Sequence, residues 1–302
     1  MESVILGVDF GGTKVEIALV NLQGKWLVRK KEVIFKKDGF SILKSTLKFS
    51  KKILSLHKYR LKAIAISTIG VLKNGKLKLV PTIKNWGQIN LQKSFQDSFP
   101  DVKVFIKNDV KSAAYGELIS GSLKNTHNGL YLNLGTGIAV GLTLGSKVIT
   151  GFHGAAGEVG YFLNQKDSNI YFQNNHAPFE EYAGGKGIAK HASRLINREI
   201  SAQDFWQKRF SDQSLIKYRQ NLLRILGFQL SNMCIFWDPE IVSLGGGMVK
   251  SLDKFKEYLK NYLKKTVPFP PLVKMASYSN SKNASLNGII LYALCKLSSY
   301  IA

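Results

Sequence analysis

The sequence predicts an α/β chain built as two layered halves, for three reasons. Apolar strands alternate with amphipathic stretches long enough to cross back over a sheet. A strand, glycine turn, strand unit occurs twice, at Val4–Val20 and Leu130–Leu144. Three separate strands end in small residues: Val4–Lys14 (VILGVDFGGTK), Leu130–Gly137 (LYLNLGTG) and Ile241–Gly247 (IVSLGGG). Such turns let backbone N–H groups approach a polyanion closely, because glycine has no Cβ to hold phosphate oxygens away. They point to a nucleotide triphosphate held between hairpins, since neither GxxxxGK[ST] nor GxGxxG is present.

In chain order, Val4–Asp9 alternates and is rich in β-branched residues, and Val15–Val20 resumes as a strand after Gly11–Gly12. Asn21–Gly24 with Lys25–Lys31 reads as a further hairpin. Phe40, Leu43, Leu47, Ile53 and Leu54 recur at helical spacing and predict a helix over Phe40–Leu56. A buried strand (Lys62–Ser67), a glycine-marked loop, a helix around Leu91–Phe99 and a strand (Val102–Ile106) follow. That strand delivers Asn108–Asp109 to a helix whose pattern runs over Ser112–Ile119. The second half opens with strands Leu130–Leu134 and Ile138–Leu144, and the repeated unit suggests an internal duplication. Residues 164–178 lack periodicity and read as loop. Helical patterns cover 186–200, 214–236 and 251–264, with a strand at 241–244, and Ser285–Tyr300 reads as an apolar terminal helix. No low-complexity linker separates the halves, so the expected boundary is a hinge near 115–130.

At 302 residues there is room for two domains. The 43 Lys and Arg against 20 Asp and Glu leave a net charge of +23, which raises nucleic acid, an anionic surface or a polyanionic substrate as partners. The lysines are scattered in ones and twos without aromatic interleaving, which favours a solvated basic surface that attracts anions such as ATP at long range. No specific nucleic-acid partner is expected. The apolar run Gly288–Cys295 is too short to span a bilayer, and the first residues carry Glu2 and no cleavage pattern, so a cytoplasmic protein without a membrane partner is expected. Cys234 and Cys295 lie far apart and read as buried thiols of a reducing compartment.

Asp9, ahead of Gly11, Gly12, Thr13 and Lys14, could hold Mg²⁺ directly or through water, or could be a turn aspartate without a ligand. Asp109 could accept the proton of an alcohol during phosphoryl transfer, could cap the helix that follows, or could do both. Glu158 lies in Gly151–Gly160 (GFHGAAGEVG), where little else packs and a carboxylate suits ligand hydroxyls. Glu180 and Glu181 precede Gly184–Gly185 and read equally as helix N-terminal charges or as ligands. The five histidines and two cysteines make no metal-ligand spacing, and no zinc site is expected.

Together these residues resemble the ROK sugar kinases of the actin-like ATPase superfamily, over almost the whole chain. Asp9–Lys14 is similar to the family's first phosphate motif and Leu134–Gly137 to its second. Asn108–Asp109 with Ala113–Ala114 and Gly116–Glu117 is similar to its Asn-Asp catalytic segment, Gly157–Gly160 to its GE-x-G sugar loop, Glu180–Gly185 to its E-x-Y-x-[SG]-G segment, and Gly245–Gly247 to its adenosine-side glycines. The resemblance implies a two-domain actin-like ATPase (ribonuclease H-like) fold with a cleft between domains 1–118 plus 285–302 and 119–284, the last helix packing back on the first. It implies Asp109 as general base and Asp9 organising Mg²⁺. It further implies sugar contacts from Asn108, Asp109, Glu158 and Glu180, and ATP contacts from Gly11, Gly12, Thr13, Lys14, Gly135, Thr136, Gly137, Gly245, Gly246 and Gly247. ATP and Mg²⁺ are the implied cofactors, and a homodimer the implied assembly.

Two departures stand out. Tyr161 occupies the place of the family's usual histidine, and residues 164–179 hold no cysteine where a CxCGxxGC zinc motif is usual, so zinc is expected to be absent and Tyr161 to fill its space or offer its hydroxyl to the sugar. Lys111 stands where asparagine is frequent; on a helix it is expected to face solvent, whereas pointing inward it would lower the base's pKa or hold a phosphate. Family repressors carry a winged-helix segment before the first phosphate motif, and Asp9 follows the first residue too soon to leave room for one. The expected activity is transfer of the ATP γ-phosphoryl group to a hexose hydroxyl, the 6-hydroxyl of glucose or a related hexose or N-acetylhexosamine. The alternatives are a polyphosphate-using glucokinase and a sugar- or nucleotide-binding regulator without turnover.

Overall fold

The computed structural model describes residues 1–34, 38–80, 82–163, 172–174, 176–206, 212–248, 253–278 and 283–298, and all statements of structure refer to these. The first elements are β1 (Ser3–Phe10), β2 (Lys14–Asn21), β3 (Trp26–Val33), α1 (Gly39–Leu56), β4 (Arg60–Thr68), β5 (Val71–Lys73), β6 (Lys76–Lys78), α2 (Leu91–Ser98), β7 (Lys103–Asn108) and α3 (Asp109–Ser120). Then come β8 (Asn128–Leu134), β9 (Ile138–Leu144), β10 (Lys147–Val148), α4 (Pro178–Ala183), α5 (Gly185–Leu195), α6 (Ala202–Trp206), α7 (Gln213–Trp237), β11 (Ile241–Gly245), α8 (Asp253–Thr266), β12 (Leu272–Met275) and α9 (Ala284–Ser298).

The chain divides into two compact units, Met1–Gly116 with Thr150–Ala156 and Asn283–Ala302, and Glu117–Ile149 with Gly157–Lys282. The segment Thr150–Ala156, expected in the second domain, lies with the first. There the Lys73 ammonium sits 4.3 Å over the Phe152 ring, and Gly154 abuts the Leu72 carbonyl so closely that a Cβ would come within 2.5 Å of it.

The first unit is built on a sheet in the order β3-β2-β1-β4-β7, the second on one in the order β10-β9-β8-β11-β12. In each, three antiparallel strands are followed by two parallel ones, so the strand pairing repeats as the duplicated sequence unit suggests. β1 shows how alternation assigns faces. Val4, Leu6, Val8 and Phe10 enter a core with Trp86 and Phe95, while Ile5 packs under α9 with Ala18, Ala63, Leu286, Ile289 and Ile290. The last helix thus packs on the first sheet. The second sheet supports a core of Leu130, Leu132, Phe179, Ile188, Leu222 and Leu259.

Several elements differ from the sequence expectation. The glycine-marked loop after β4 contains the hairpin β5–β6, closed by Asn74 and Gly75, both at positive φ (51° and 74°), the conformation a two-residue primed turn requires. That Asn-Gly pair was a legible signal. β12 was not expected because four residues carry too little pattern; it pairs in parallel with β11. The helix expected over 186–200 is shorter, α5 ending at Leu195 with Ile196 as its C-cap, and the short α6 that follows at Ala202–Trp206 was not expected. Most of the expected loop at 164–178 lies outside the described residues, and its end is Pro178 at the start of α4. Cys234 is buried, its thiol pushed up to about 12 by desolvation, but Cys295 near the end of α9 is only half-buried. No helix is long and apolar enough to cross a membrane among the described residues.

Candidate active site

In the first unit, β1 ends at the turn Gly11–Thr13, closed by a Gly11 N–H to Lys14 carbonyl hydrogen bond of 3.0 Å. Thr13 and Lys14 are exposed, and Lys14 has its pKa lowered by partial burial and by the charge of Lys31. Asp9 shares the face of Ile5 and Gly7 and is 7% exposed. Its Oδ2 accepts a 2.7 Å hydrogen bond from Asn283 Nδ2, and its Oδ1 has no hydrogen-bond partner. Burial raises the carboxyl above its usual range; the nearby Asn283 and Ser67 oppose the shift, and the charge of Glu16 adds to it. Glu16, which the sequence did not single out, pairs with Asp9 across the β1–β2 ladder, is 2% exposed and contacts Arg29 Nε.

A buried carboxylate oxygen without a donor is costly, and a hard cation or its water shell would satisfy it. Among the described residues no three His, Cys, Asp or Glu side chains gather as a metal cage. Magnesium commonly needs none, being held by one or two carboxylates and substrate phosphates, so Asp9 fits the implied ion.

Asn108 ends β7 and caps α3. Its Oδ1 accepts from Val110 N–H at 3.0 Å and Lys111 N–H at 3.1 Å, and its Nδ2 donates to the Gly70 carbonyl at 3.0 Å. Capping therefore falls to Asn108 rather than Asp109. Asp109 opens the helix, half-buried, with Oδ1 accepting from Val110 N–H at 2.9 Å. Lys111, expected to face solvent, is 4% exposed. The reason is that α3 is buried at every position from Val110 to Leu118, so residue 111 has no solvent face. Its charge helps to lower the pKa of Lys107, after burial and Lys296.

In the second unit, the turn Gly135–Gly137 joins β8 to β9. Gly185 N–H donates to the Gly135 carbonyl at 2.9 Å and Lys186 N–H to the Thr136 carbonyl at 3.0 Å. Gly246, at φ +91°, presses on the end of β8, where a Cβ would lie 2.3 Å from the Leu134 carbonyl oxygen. Met248 N–H donates to that same oxygen at 2.9 Å, so two of the three glycine turns meet around Leu134.

Glu180 lies beneath the second turn. Its Oε2 accepts from Ile138 N–H at 3.0 Å, and a Cβ at Gly137 would come within 2.1 Å of that oxygen. Both Glu180 and Glu181 fall in the first turn of α4; Glu181 accepts from Ala177 N–H at 3.0 Å and pairs with His176. Gly157, at φ +86°, allows the Glu158 loop to lie against β9, its carbonyl accepting from Val140 N–H at 2.8 Å. Glu158 is half-buried. Tyr161 stands on the short turn Val159–Tyr161, its ring edge-on to Phe172 at 5.5 Å between centroids. Burial and the charges of Glu158 and Glu180 raise its hydroxyl pKa, which keeps it a neutral donor. The structure thus gathers Glu158, Tyr161, Glu180 and two glycine turns in one unit, and Asp9, Gly11–Lys14, Asn108 and Asp109 in the other.

Glu16 and Asn283, the two side chains beside Asp9, are not singled out by the sequence, and Glu117 enters there only within the Gly116–Glu117 motif. Glu16 sits two residues beyond the first motif, and the apolar helix after Asn283 marks it only as a cap.

The sequence model of the ROK family matches residues 5–294. The chain is 29% identical over 195 residues to the xylose repressor of Bacillus spizizenii, covering 64% of this chain and 50% of the repressor. It is 24% identical over 279 residues to a glucokinase of Halalkalibacterium halodurans, covering 85% of this chain and 84% of the relative. The fold matches the crystal structure of the ROK hexokinase from Thermus thermophilus with a TM-score of 0.81, at 22% identity, over 98% of this chain and 99% of that one. The two repeated sheets are those of the actin-like ATPase fold, and the chain belongs to the ROK family.

Proposed function

We propose that this protein is an ATP-dependent sugar kinase acting on a hexose or N-acetylhexosamine, with the 6-hydroxyl of glucose or a close relative as acceptor. The observation that carries the reading is the β7–α3 junction. Asn108 takes over the helix cap, and Asp109 is held at the first turn of the helix with Oδ1 accepting from Val110 N–H, the position from which a carboxylate can accept the proton of a sugar hydroxyl.

In this reading the sugar hydroxyl oxygen bonds to the γ-phosphorus as the bond to the ADP oxygen breaks, ADP leaving with the electron pair. The hydroxyl proton passes to the Asp109 carboxylate. Asp9 would hold Mg²⁺, which when bound neutralises the charge on the phosphates. Gly11–Lys14 and Gly135–Gly137 would bind the phosphates and Gly245–Gly247 the adenosine side. Glu158 and Tyr161 would bind sugar hydroxyls. The hydrogen bonds already made by Asn108 and Glu180 leave each fewer sites for the sugar. A homodimer and a cytoplasmic location complete the reading, on the resemblance and the composition.

A coupled ADP-release assay across hexoses and N-acetylhexosamines tests it, with Asp109→Asn as control. ATP-dependent turnover of at least one sugar, lost by roughly 10²–10⁴-fold in the variant, is expected. Turnover on none, or an unaffected variant, refutes the proposal; sugar binding by calorimetry without product would point instead to a regulator. Polyphosphate in place of ATP separates the two donors.

A further inference from the structure

We infer that Asn283 is a positioning residue for Asp9, holding one carboxylate oxygen so that the other is left for the divalent cation. The inference rests on the reading of Asp9 as the magnesium-organising carboxylate. Asn283 lies 274 positions from Asp9 in sequence, and both ends of its amide are used. Oδ1 accepts from Leu286 N–H at 3.1 Å, capping α9. Nδ2 donates to Asp9 Oδ2 at 2.7 Å and lies 3.3 Å from Glu16 Oε2. The amide can face only one way, since a flip would turn its oxygen toward two carboxylates and its N–H₂ toward a helix N–H.

The neighbouring charges make Oδ1 of Asp9 the oxygen that remains. Glu16 has Arg29 on Oε1 and Asn283 beside Oε2, so both its oxygens are engaged. Asp9 Oδ2 is taken by Asn283, and Oδ1 is buried without a partner. The helix that carries Asn283 is brought close by small residues. A Cβ on Gly7 would meet Ile290 Cδ1 at 2.7 Å, and one on Gly288 would meet the Ser112 carbonyl at 1.7 Å. Ile5, Gly7 and Asp9 face α9, so the start of the helix reaches the end of the strand. Asp, Ser and Asn cap helices about equally well, but an ionised aspartate has no donor and a serine hydroxyl sits too close to the backbone to reach Asp9 while it caps, so asparagine alone does both here with two separate groups.

The test compares Asn283→Ser, which keeps a capping hydroxyl but on a side chain too short to reach Asp9, with Asn283→Ala, which loses both the cap and the donor. Mn²⁺ affinity of the full chain is read by water-proton relaxation in the presence of a non-hydrolysable ATP analogue, and melting temperature is read alongside. The expected result is a loss of Mn²⁺ affinity of about 10–100-fold in both variants, with the melting temperature falling only for Ala. Wild-type Mn²⁺ affinity in Asn283→Ser, or a loss confined to the destabilised Ala variant, overturns the inference and leaves the kinase reading standing. No Mn²⁺ bound to the wild-type protein beyond that held by the nucleotide overturns both.

Discussion

Glu117 is the residue on which the second unit's geometry can be tested most sharply. Its carboxylate is fully buried and accepts four hydrogen bonds. Three come from main-chain N–H groups, Ser122 at 2.7 Å and Ser277 and Tyr278 at 3.0 Å each, and one from the Ser122 hydroxyl at 2.9 Å. These bonds tie the end of α3 to the segment after β12, 160 residues away. In Glu117→Ala the Ser122 hydroxyl can turn to Ser243 Oγ, 2.6 Å away, but three backbone N–H groups lose their acceptor. At about 1–3 kcal/mol for each orphaned group, partly relieved by entering water, the loss is about 3–5 kcal/mol. At about 2–4 °C per kcal/mol this lowers the melting temperature by roughly 6–20 °C. Glu117→Gln keeps an oxygen for the Ser122 and Ser277 donors and sets its N–H₂ against Tyr278 N–H, so it should cost about 1–2 kcal/mol. Urea denaturation measures both, and amide exchange reports on Ser277 and Tyr278, which should lose protection in the Ala variant. An Ala variant within about 1 kcal/mol of wild type, or unchanged protection at those amides, would refute the reasoning.

Three further outcomes are expected. Gly288→Ala places a Cβ 1.7 Å from the Ser112 carbonyl oxygen, where ordinary contact begins at 3.4 Å, so α9 must back away from α3. The cost is about 1–3 kcal/mol, read as a lower melting temperature, and an unchanged melting curve would contradict the packing. Tyr161→Phe keeps the ring against Phe172 and removes the hydroxyl; under the proposed function it raises the sugar KM by roughly 2–10-fold with little change in kcat, and an unchanged KM removes Tyr161 from the sugar site. His191, 4.4 Å from the Tyr218 ring centroid, has its pKa lowered below 6.5 by desolvation and by Arg194. The unfolded chain then takes up the proton first, so stability is full above pH 6.5 and declines as the pH falls toward the lowered value. The difference in stability between wild type and His191→Gln should therefore shift between neutral and mildly acidic pH, and a pH-independent difference would show that His191 does not contribute.

Much of the fold was legible because its signals are short-range. Alternation along Val4–Asp9, helical spacing in Phe40–Leu56 and the three glycine turns each act within one or two elements. Asn74–Gly75 was equally readable, since positive φ at both residues is a local property of the turn. The junction of a strand with Asn108–Asp109 and a helix was also visible, but the division of labour between the two side chains was not. Either could cap the helix, and only the orientation of Asn108 toward Val110, Lys111 and Gly70 decides it. Lys111 was misread as solvent-facing because helical position alone reveals nothing of what packs around the helix.

By itself the sequence determined the α/β alternation, the phosphate-type turns and the carboxylates available for chemistry. Only the tertiary structure decided which partners those carboxylates have. Asn283 meets Asp9, Ser277 and Tyr278 meet Glu117, and Ile138 meets Glu180, across separations that no local pattern spans. The physical reason is that periodicity and turn chemistry act over a few residues, whereas a buried polar partner is selected by how closely two backbones can pack, as Gly7 and Gly288 allow for α9.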